Sequence, residues 1–384
     1  MRALEDYRSE YPILERATYL INHSLGAMPR RAEERLAEYA RAWRERGVRA
    51  WGEGWWELPL VVGDQIGRIV GAPPGTTVMH QNVAVAEAVV LSCFRPEPPR
   101  NRVVYERGNF PSVRYLYQSR PDLEVVVCED DGAVVAAIDE RTLLVPISHV
   151  LYKSGEIQDV EAIVRRAHEA GAHVILDAYQ SAGIVPLDVT ALGVDFAVGG
   201  SVKWLCGGPG NGWLYVRPDL AERLEPTVTG WQAHAEPFAF EEELRYAEGA
   251  ARFLTGTPNV PALYAATAGY DLVEEVGVAR IRERSLAATQ LLLDLADEAG
   301  FEVRSPRDHG RRGGTVTIHV PEFPAVHREL GAREIVCDFR PGAGLRLGPH
   351  FFNNDEELRH AVAQIAEIVE TGAYARHLGA VARH

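Results

Sequence analysis

Cysteine is scarce in this chain. The four present, Cys93, Cys128, Cys206 and Cys337, are far apart in 384 residues and form no C-x-x-C pair. That spacing argues against a disulfide scaffold and a cysteine-rich zinc site, and sets the expectation of a reduced, cytoplasmic setting. Long hydrophobic runs are missing too: no stretch approaches the roughly 20 apolar residues that span a bilayer. Met1–Glu15 mixes charges of both signs and lacks the apolar centre of a secretion signal. Basic residues are in deficit. The 40 Lys and Arg against 54 Asp and Glu leave a formal charge of −14, so neither nucleic acid nor a membrane is an expected partner. A single phosphate can still be held locally by backbone amides. Internal repeats and low-complexity tracts are absent.

What is present is ordinary for a globular protein: 46% hydrophobic and 24% charged residues. The length exceeds what one core usually supports, so two domains are expected. Short apolar runs at Arg102–Glu106, Leu123–Cys128, Thr142–Ile147, His173–Asp177, Asp195–Gly199 and Gly212–Val216 read as strands buried on both faces of a mainly parallel sheet. Asp159–Ala170 has helical apolar spacing and ends at Gly171. Strand, helix, strand in this order gives an α/β architecture. Outside the middle, the spacing predicts helices over Arg30–Arg46, Pro261–Glu275, Val278–Glu298 and Asp355–Thr371. Apolar runs over Thr315–Val320, Ile335–Phe339 and Gly344–Leu347 complete a smaller α+β unit.

The informative segment runs from Val174 to Val216. An apolar strand ends in Asp177, and a carboxylate at a buried strand end needs a partner. A second strand leads through Gly199, Gly200 and Ser201 to Lys203, at the same edge, where open α/β sheets bind ligands. Lys203 can be read as half of a structural ion pair or as a nucleophile that forms an imine with an aldehyde. The small residues before it let backbone approach a planar ligand. The turn Gly207–Gly212 is neither a Walker loop nor a dinucleotide fingerprint, and on its own reads as a plain turn into a strand.

The motifs D-A-Y-Q from Asp177, V-P-L-D-V from Val185, G-V-D-F-A from Gly193 and S-V-K-W-L from Ser201 agree in order and spacing with a known family. The chain resembles fold-type I pyridoxal-5′-phosphate (PLP) enzymes of the class V aminotransferase superfamily, in the kynureninase and isopenicillin-N-epimerase-like branch. Weaker similarity extends to Y-L-I-N-H-S-L-G from Tyr19, N-F-P-S from Asn109, G-W-Q-A-H from Gly230, R-F-L-T-G-T-P from Arg252 and L-R-L-G-P from Leu345. The resemblance implies the type I PLP-dependent transferase fold: a large α/β domain over 51–270 that binds PLP, and a small α+β domain from 1–50 and 271–384. It also implies a homodimer with a shared active site, and an amino-acid substrate.

Residue by residue, the resemblance makes Lys203 the Schiff-base lysine and Asp177 the partner of the ring nitrogen. Gln180 reaches the cofactor's phenolic oxygen and Phe110 stacks on its ring. For the phosphate it points to the amides of Val83, Ala84 and Val85, with Ser201, Trp231 and a partner subunit's position matching Thr257. Arg346 is the clamp for the substrate carboxylate, and His23 and Ser24 lie where the N-terminal segment closes over the substrate. A helix-start polar residue at 180, a core phenylalanine at 110 and a simple turn at 23–24 are the plainer readings. The chain also departs from the branch: Val202 replaces an aromatic or histidine before the lysine, and valines and alanine replace a hydroxyl residue at 83–85. Gly47–Trp56 offers tryptophans that either line an aromatic pocket or form a packed cluster. The expected activity is a class V aminotransferase-family reaction at Cα, with a kynureninase-type hydrolase or Cβ lyase as the alternative. An inactive or effector-binding relative is the non-enzymatic alternative.

Overall fold

The computed structural model describes residues 2–379. Seven strands build the main sheet: β1 (Thr77–His80), β2 (Arg102–Glu106), β3 (Glu124–Cys128), β4 (Thr142–Ser148), β5 (His173–Asp177), β6 (Phe196–Gly200) and β7 (Gly212–Val216). Their spatial order is β1-β7-β6-β5-β4-β2-β3. Neighbours from β6 through to β3 pair in parallel. β7 is antiparallel to both β6 and β1, so six strands share one direction. β1 is an addition to the expected set. Its sequence, Thr-Val-Met-His, is too short and too mixed to show a period.

Alternate residues of each strand bury on opposite faces. In β5, Val174 and Leu176 join one apolar cluster while Ile175 joins the other; β6 divides Ala197 from Phe196 and Val198 in the same way. Helices cover both faces. Those that matter below are α1 (Arg30–Arg46), α2 (Leu58–Val70), α3 (Val83–Leu91), α4 (Pro111–Gln118), α5 (Val160–Glu169), α6 (Val260–Val276) and α7 (Val278–Glu298). α5 starts at Asp159, whose carboxylate caps the amide of Ala162 at 3.0 Å. It gives way to Gly171 at φ 71°, the left-handed position that glycine fills without strain.

A second sheet, antiparallel throughout, contains β8 (Glu302–Val303), β9 (Val316–His319), β10 (Asp338–Arg340) and β11 (Gly344–Leu347) in the order β10-β11-β9-β8. It has its own core, shared with α7 and the final helix α8 (Asp355–Thr371). The run Ile335–Phe339, expected as one strand, is split. Ile335–Val336 pairs with Thr18–Tyr19, whereas Asp338–Arg340 pairs with β11. The second sheet's own core marks a smaller unit; we propose the division into 51–270 and 1–50 plus 271–384, with Tyr7, Tyr11, Tyr19, Phe351 and Phe352 of the smaller part packing into the core of the main sheet. Among the described residues no helix is long and apolar enough to cross a membrane.

The N-terminal segment reaches the edge of the main sheet at Gly26. Its amide donates to the carbonyl of Val202 at 2.7 Å, and a Cβ there would overlap the carbonyl oxygen of Lys203. A backbone contact this close can relax only by moving one segment. Gly26→Ala should therefore cost about 1–3 kcal/mol of stability, read as a lower denaturant midpoint. An unchanged midpoint would mean that the segment is not held against the lysine loop.

Candidate active site

Parallel strands end together. β5 ends in Asp177, β6 ends in Gly200, and three residues later the chain reaches Lys203. At this edge lies a cavity of about 210 Å³, lined by Asn82, Val83, Ala84, Phe110, Ser148, Tyr152, Asp177, Tyr179, Gln180 and Lys203, among others. The sheet supplies its floor, the start of α3 one side, and the residue before α4 (Phe110) another. Asp177 and Lys203 thus share one cavity.

Lys203 makes no hydrogen bond or ion pair among the described residues. Its Nζ lies 5.5 Å from the ring centre of Phe110 and 4.3 Å from that of Tyr179. Burial pushes its pKa down to about 7; Asp177 works against the shift, and Arg346 and Arg340 add to it. A sizeable fraction of the amine is thus neutral near pH 7, the state in which nitrogen attacks a carbonyl. Asp177 is buried, which raises its pKa, while the amide of Tyr179 and the charge of Lys203 hold it down. Its Oδ1 accepts that amide at 2.8 Å, and Oδ2 has no protein donor among the described residues.

Gln180 lines the cavity. Its Nε2 donates to the carbonyl of His23 at 3.0 Å, and its Oε1 accepts the indole N–H of Trp204 at 3.2 Å. One amide hydrogen remains for a ligand. His23 is fully buried and its Nε2 lies 2.9 Å from Asp338 Oδ1. Burial, then the charge of Arg346, push its pKa down to about 4. Arg346 is buried as well. It reaches Asp338 through Nε (2.8 Å) and Nη2 (2.5 Å), and the carbonyl of the cavity residue Tyr152 through Nη1 (2.5 Å). The sequence reading missed Asp338 and Tyr179. For Asp338 a signal existed: an acid eight residues before Arg346 across a glycine turn, placing the two as direct cross-strand partners.

Other expectations need correction. The amide of Val85 is not free: it donates to the side chain of Asn82, the N-cap, at 3.0 Å. The hydroxyl of Ser201 is fully buried between Asn211 Oδ1 and the Tyr270 hydroxyl, outside the cavity lining. Val83 and Ala84 do line the cavity, and first-turn amides have no partner within their own helix. Ser24 is half-buried, Thr257 is exposed, and neither lines the cavity. Trp231, 42% exposed, also lies elsewhere, with its ring 4.7 Å from Trp56 and 5.7 Å from Phe240. Trp55 packs on Tyr39 of α1 at 5.4 Å, and its indole donates to the Tyr264 hydroxyl at 3.2 Å. The tryptophan-rich segment therefore does not line this cavity.

The residues present fit the cofactor implied by the sequence resemblance. An amine without a hydrogen-bond partner among the described residues, its pKa lowered by burial, and a carboxylate with one open oxygen face one cavity, an aromatic side chain borders it, and two amides at a helix start can take an anion. Comparison with known proteins agrees. Residues 122–350 match the family model for aminotransferase class-V. The chain is 31% identical to a kynureninase of Pseudomonas fluorescens over 97% of its length and 94% of that protein. It is 31% identical to the uncharacterized aminotransferase YcbU of Bacillus subtilis (strain 168), covering 94% of this chain and 97% of the other. A cysteine desulfurase of Thermococcus onnurineus NA1 superposes with a TM-score of 0.80 at 23% identity, over 97% and 99% of the two chains. A lysine-to-alanine variant of C-DES, solved with glycine covalently linked to its PLP cofactor, superposes at 0.86 and 20% identity, over 94% and 99%. The chain shares its overall fold with these structures, and it is a member of the aminotransferase class-V family.

Proposed function

We propose that this protein is a PLP-dependent enzyme acting at the Cα of an amino-acid substrate, with Lys203 as the residue that carries the cofactor. The observation that supports this most is the buried, unpaired amine of Lys203 sharing a cavity with Asp177. Bound there, PLP supplies an electron sink conjugated to the substrate nitrogen. Asp177 accepts a hydrogen bond from the ring nitrogen and so keeps a proton on that atom. Phe110 would border the ring, the remaining Gln180 N–H would reach the phenolic oxygen, and the amides of Val83 and Ala84 would hold the phosphate. Lys203 would hold the cofactor and, when its amine is free, would take the proton from Cα as a general base. Arg346 binds the α-carboxylate through the planar fork that suits it. His23 lies outside the cavity lining with its Nε2 against Asp338, and so fixes the N-terminal segment over this region.

A second reading is kynureninase-type hydrolysis or another cleavage at Cβ. It is favoured by full-length similarity to kynureninases, 31% in P. fluorescens and 30% in Burkholderia pseudomallei. Both readings use the same lysine. We further propose a homodimer: Thr257 and Trp231 are exposed away from the Lys203 cavity, which leaves them available to a second copy.

Borohydride reduction followed by peptide mapping tests the core of the proposal. A pyridoxyl group should appear on the peptide containing Lys203; labelling elsewhere would overturn the assignment. Conversion of the holoenzyme to its pyridoxamine form by an amino donor favours transamination. Release of alanine from a β-substituted amino acid favours the second reading.

A further inference from the structure

Tyr179 has a place in the cavity that neither the motif nor the family comparison assigns. Its ring borders the amine of Lys203 and packs on the α3 side of the sheet. It lies against Gly200, where a Cβ would overlap its hydroxyl oxygen. Gly200 is the direct antiparallel partner of Gly212. A Cβ on Gly212 would stand 2.9 Å from the carbonyl carbon of Asn82 and 3.1 Å from its Cα. Directly opposed residues face the same side of a sheet, with Cβ positions about 5 Å apart. The Tyr179 hydroxyl and the Asn82 cap of α3 therefore sit side by side on one face, over two adjacent strand ends.

Three further observations converge here. The Tyr179 hydroxyl makes no hydrogen bond among the described residues. Burial, then the nearby charge of Asp177, push its pKa up to about 12, so it keeps its proton and can donate. The hydroxyls otherwise expected at this end of the cavity are missing: residues 83–85 are Val, Ala and Val, residue 202 is Val, and Ser201 is engaged with Asn211 and Tyr270.

Resting on the PLP reading above, we propose that the Tyr179 hydroxyl donates a hydrogen bond to the cofactor phosphate, completing with the amides of Val83 and Ala84 an anion site to which residues 83–85 bring no hydroxyl. No covalent step is involved. Gly200 is then the residue that makes room for this tyrosine.

The test compares apo-protein binding of PLP with that of pyridoxal, which lacks the phosphate, by visible absorbance and tryptophan fluorescence. Tyr179→Phe should weaken PLP binding roughly tenfold, the loss of one hydrogen bond to a charged group, and leave pyridoxal within about twofold of wild type. Gly200→Ala, which displaces the ring, should reproduce the selective loss. Equal PLP affinity in wild type and Tyr179→Phe would overturn the proposal, and so would a parallel loss for both ligands, which marks a packing role. If the wild type itself binds no PLP, the functional reading fails first and this one with it. The two failures are thus told apart by the wild-type titration.

Discussion

Lys203→Met should abolish turnover while making the cofactor-free protein more stable. The two effects have one cause. The amine is buried, has no partner among the described residues, and is pushed from an ordinary 10.5 down to about 7. An unfolded chain holds its lysine proton up to about pH 10.5, whereas the folded protein releases it near 7. Between those values the unfolded state binds more protons, so stability rises with pH. The penalty is fully present below pH 7 and fades as pH climbs toward 10.5, by roughly 1.4 kcal/mol per pH unit. Methionine fills the same space without a charge and escapes the penalty. Urea unfolding of the two apo proteins at about pH 6, 8 and 10 should show a gap that narrows with pH. Activity should fall by more than about 10³, since both the covalent anchor and the general base are removed. Residual turnover near the wild-type level, or a stability gap that is flat with pH, would contradict the role assigned to this amine.

The same burial explains why this part of the site was legible in the sequence. Val174–Leu176 and Phe196–Val198 are continuous apolar runs, as strands covered on both faces must be, and a polar residue that ends such a run has to face the sheet edge. Asp177 and Lys203 could therefore be placed at the sheet edge from local pattern, while their roles toward PLP came from the family resemblance. Residues whose role depends on contacts across the fold did not. Ser201 follows the same strand and looked equally available, but a buried hydroxyl takes whatever partners the neighbouring elements offer, here Asn211 and Tyr270. Val85 opens the same helix as Val83, yet its amide is consumed by the cap that starts the helix. Asp338 was hidden because Ile335–Phe339 reads as one apolar strand. The chain switches sheets inside that run and turns the carboxylate inward toward β11. Tyr179 followed a motif aspartate and passed as spacing. Only the glycine beneath it, at the end of the next strand, shows that its ring has been accommodated.

Asp338 carries the second large effect. Its Oδ1 receives Arg346 Nε at 2.8 Å and His23 Nε2 at 2.9 Å; its Oδ2 receives Arg346 Nη2 at 2.5 Å and lies 3.1 Å from Arg340 Nη2. Burial works against ionisation, yet the His23 ring and the Arg346 guanidinium hold the carboxyl well below the usual range. Asp338→Ala leaves Arg346 a buried cation without a counterion, which should lower unfolding stability by about 3–5 kcal/mol. Asp338→Asn, which keeps acceptor oxygen but not charge, should recover only part of it. The effect on catalysis follows from counting donors. A guanidinium has five N–H groups. Two go to Asp338 and one to the carbonyl of Tyr152, so one N–H is left on each terminal nitrogen for a substrate carboxylate. Asp338 thus orients the fork without using it up. Releasing that orientation should raise KM for α-carboxylate substrates more than it lowers kcat, whereas substrates lacking the carboxylate should respond little. A variant that folds as stably as wild type and keeps its KM would show that Arg346 is positioned by something other than this carboxylate.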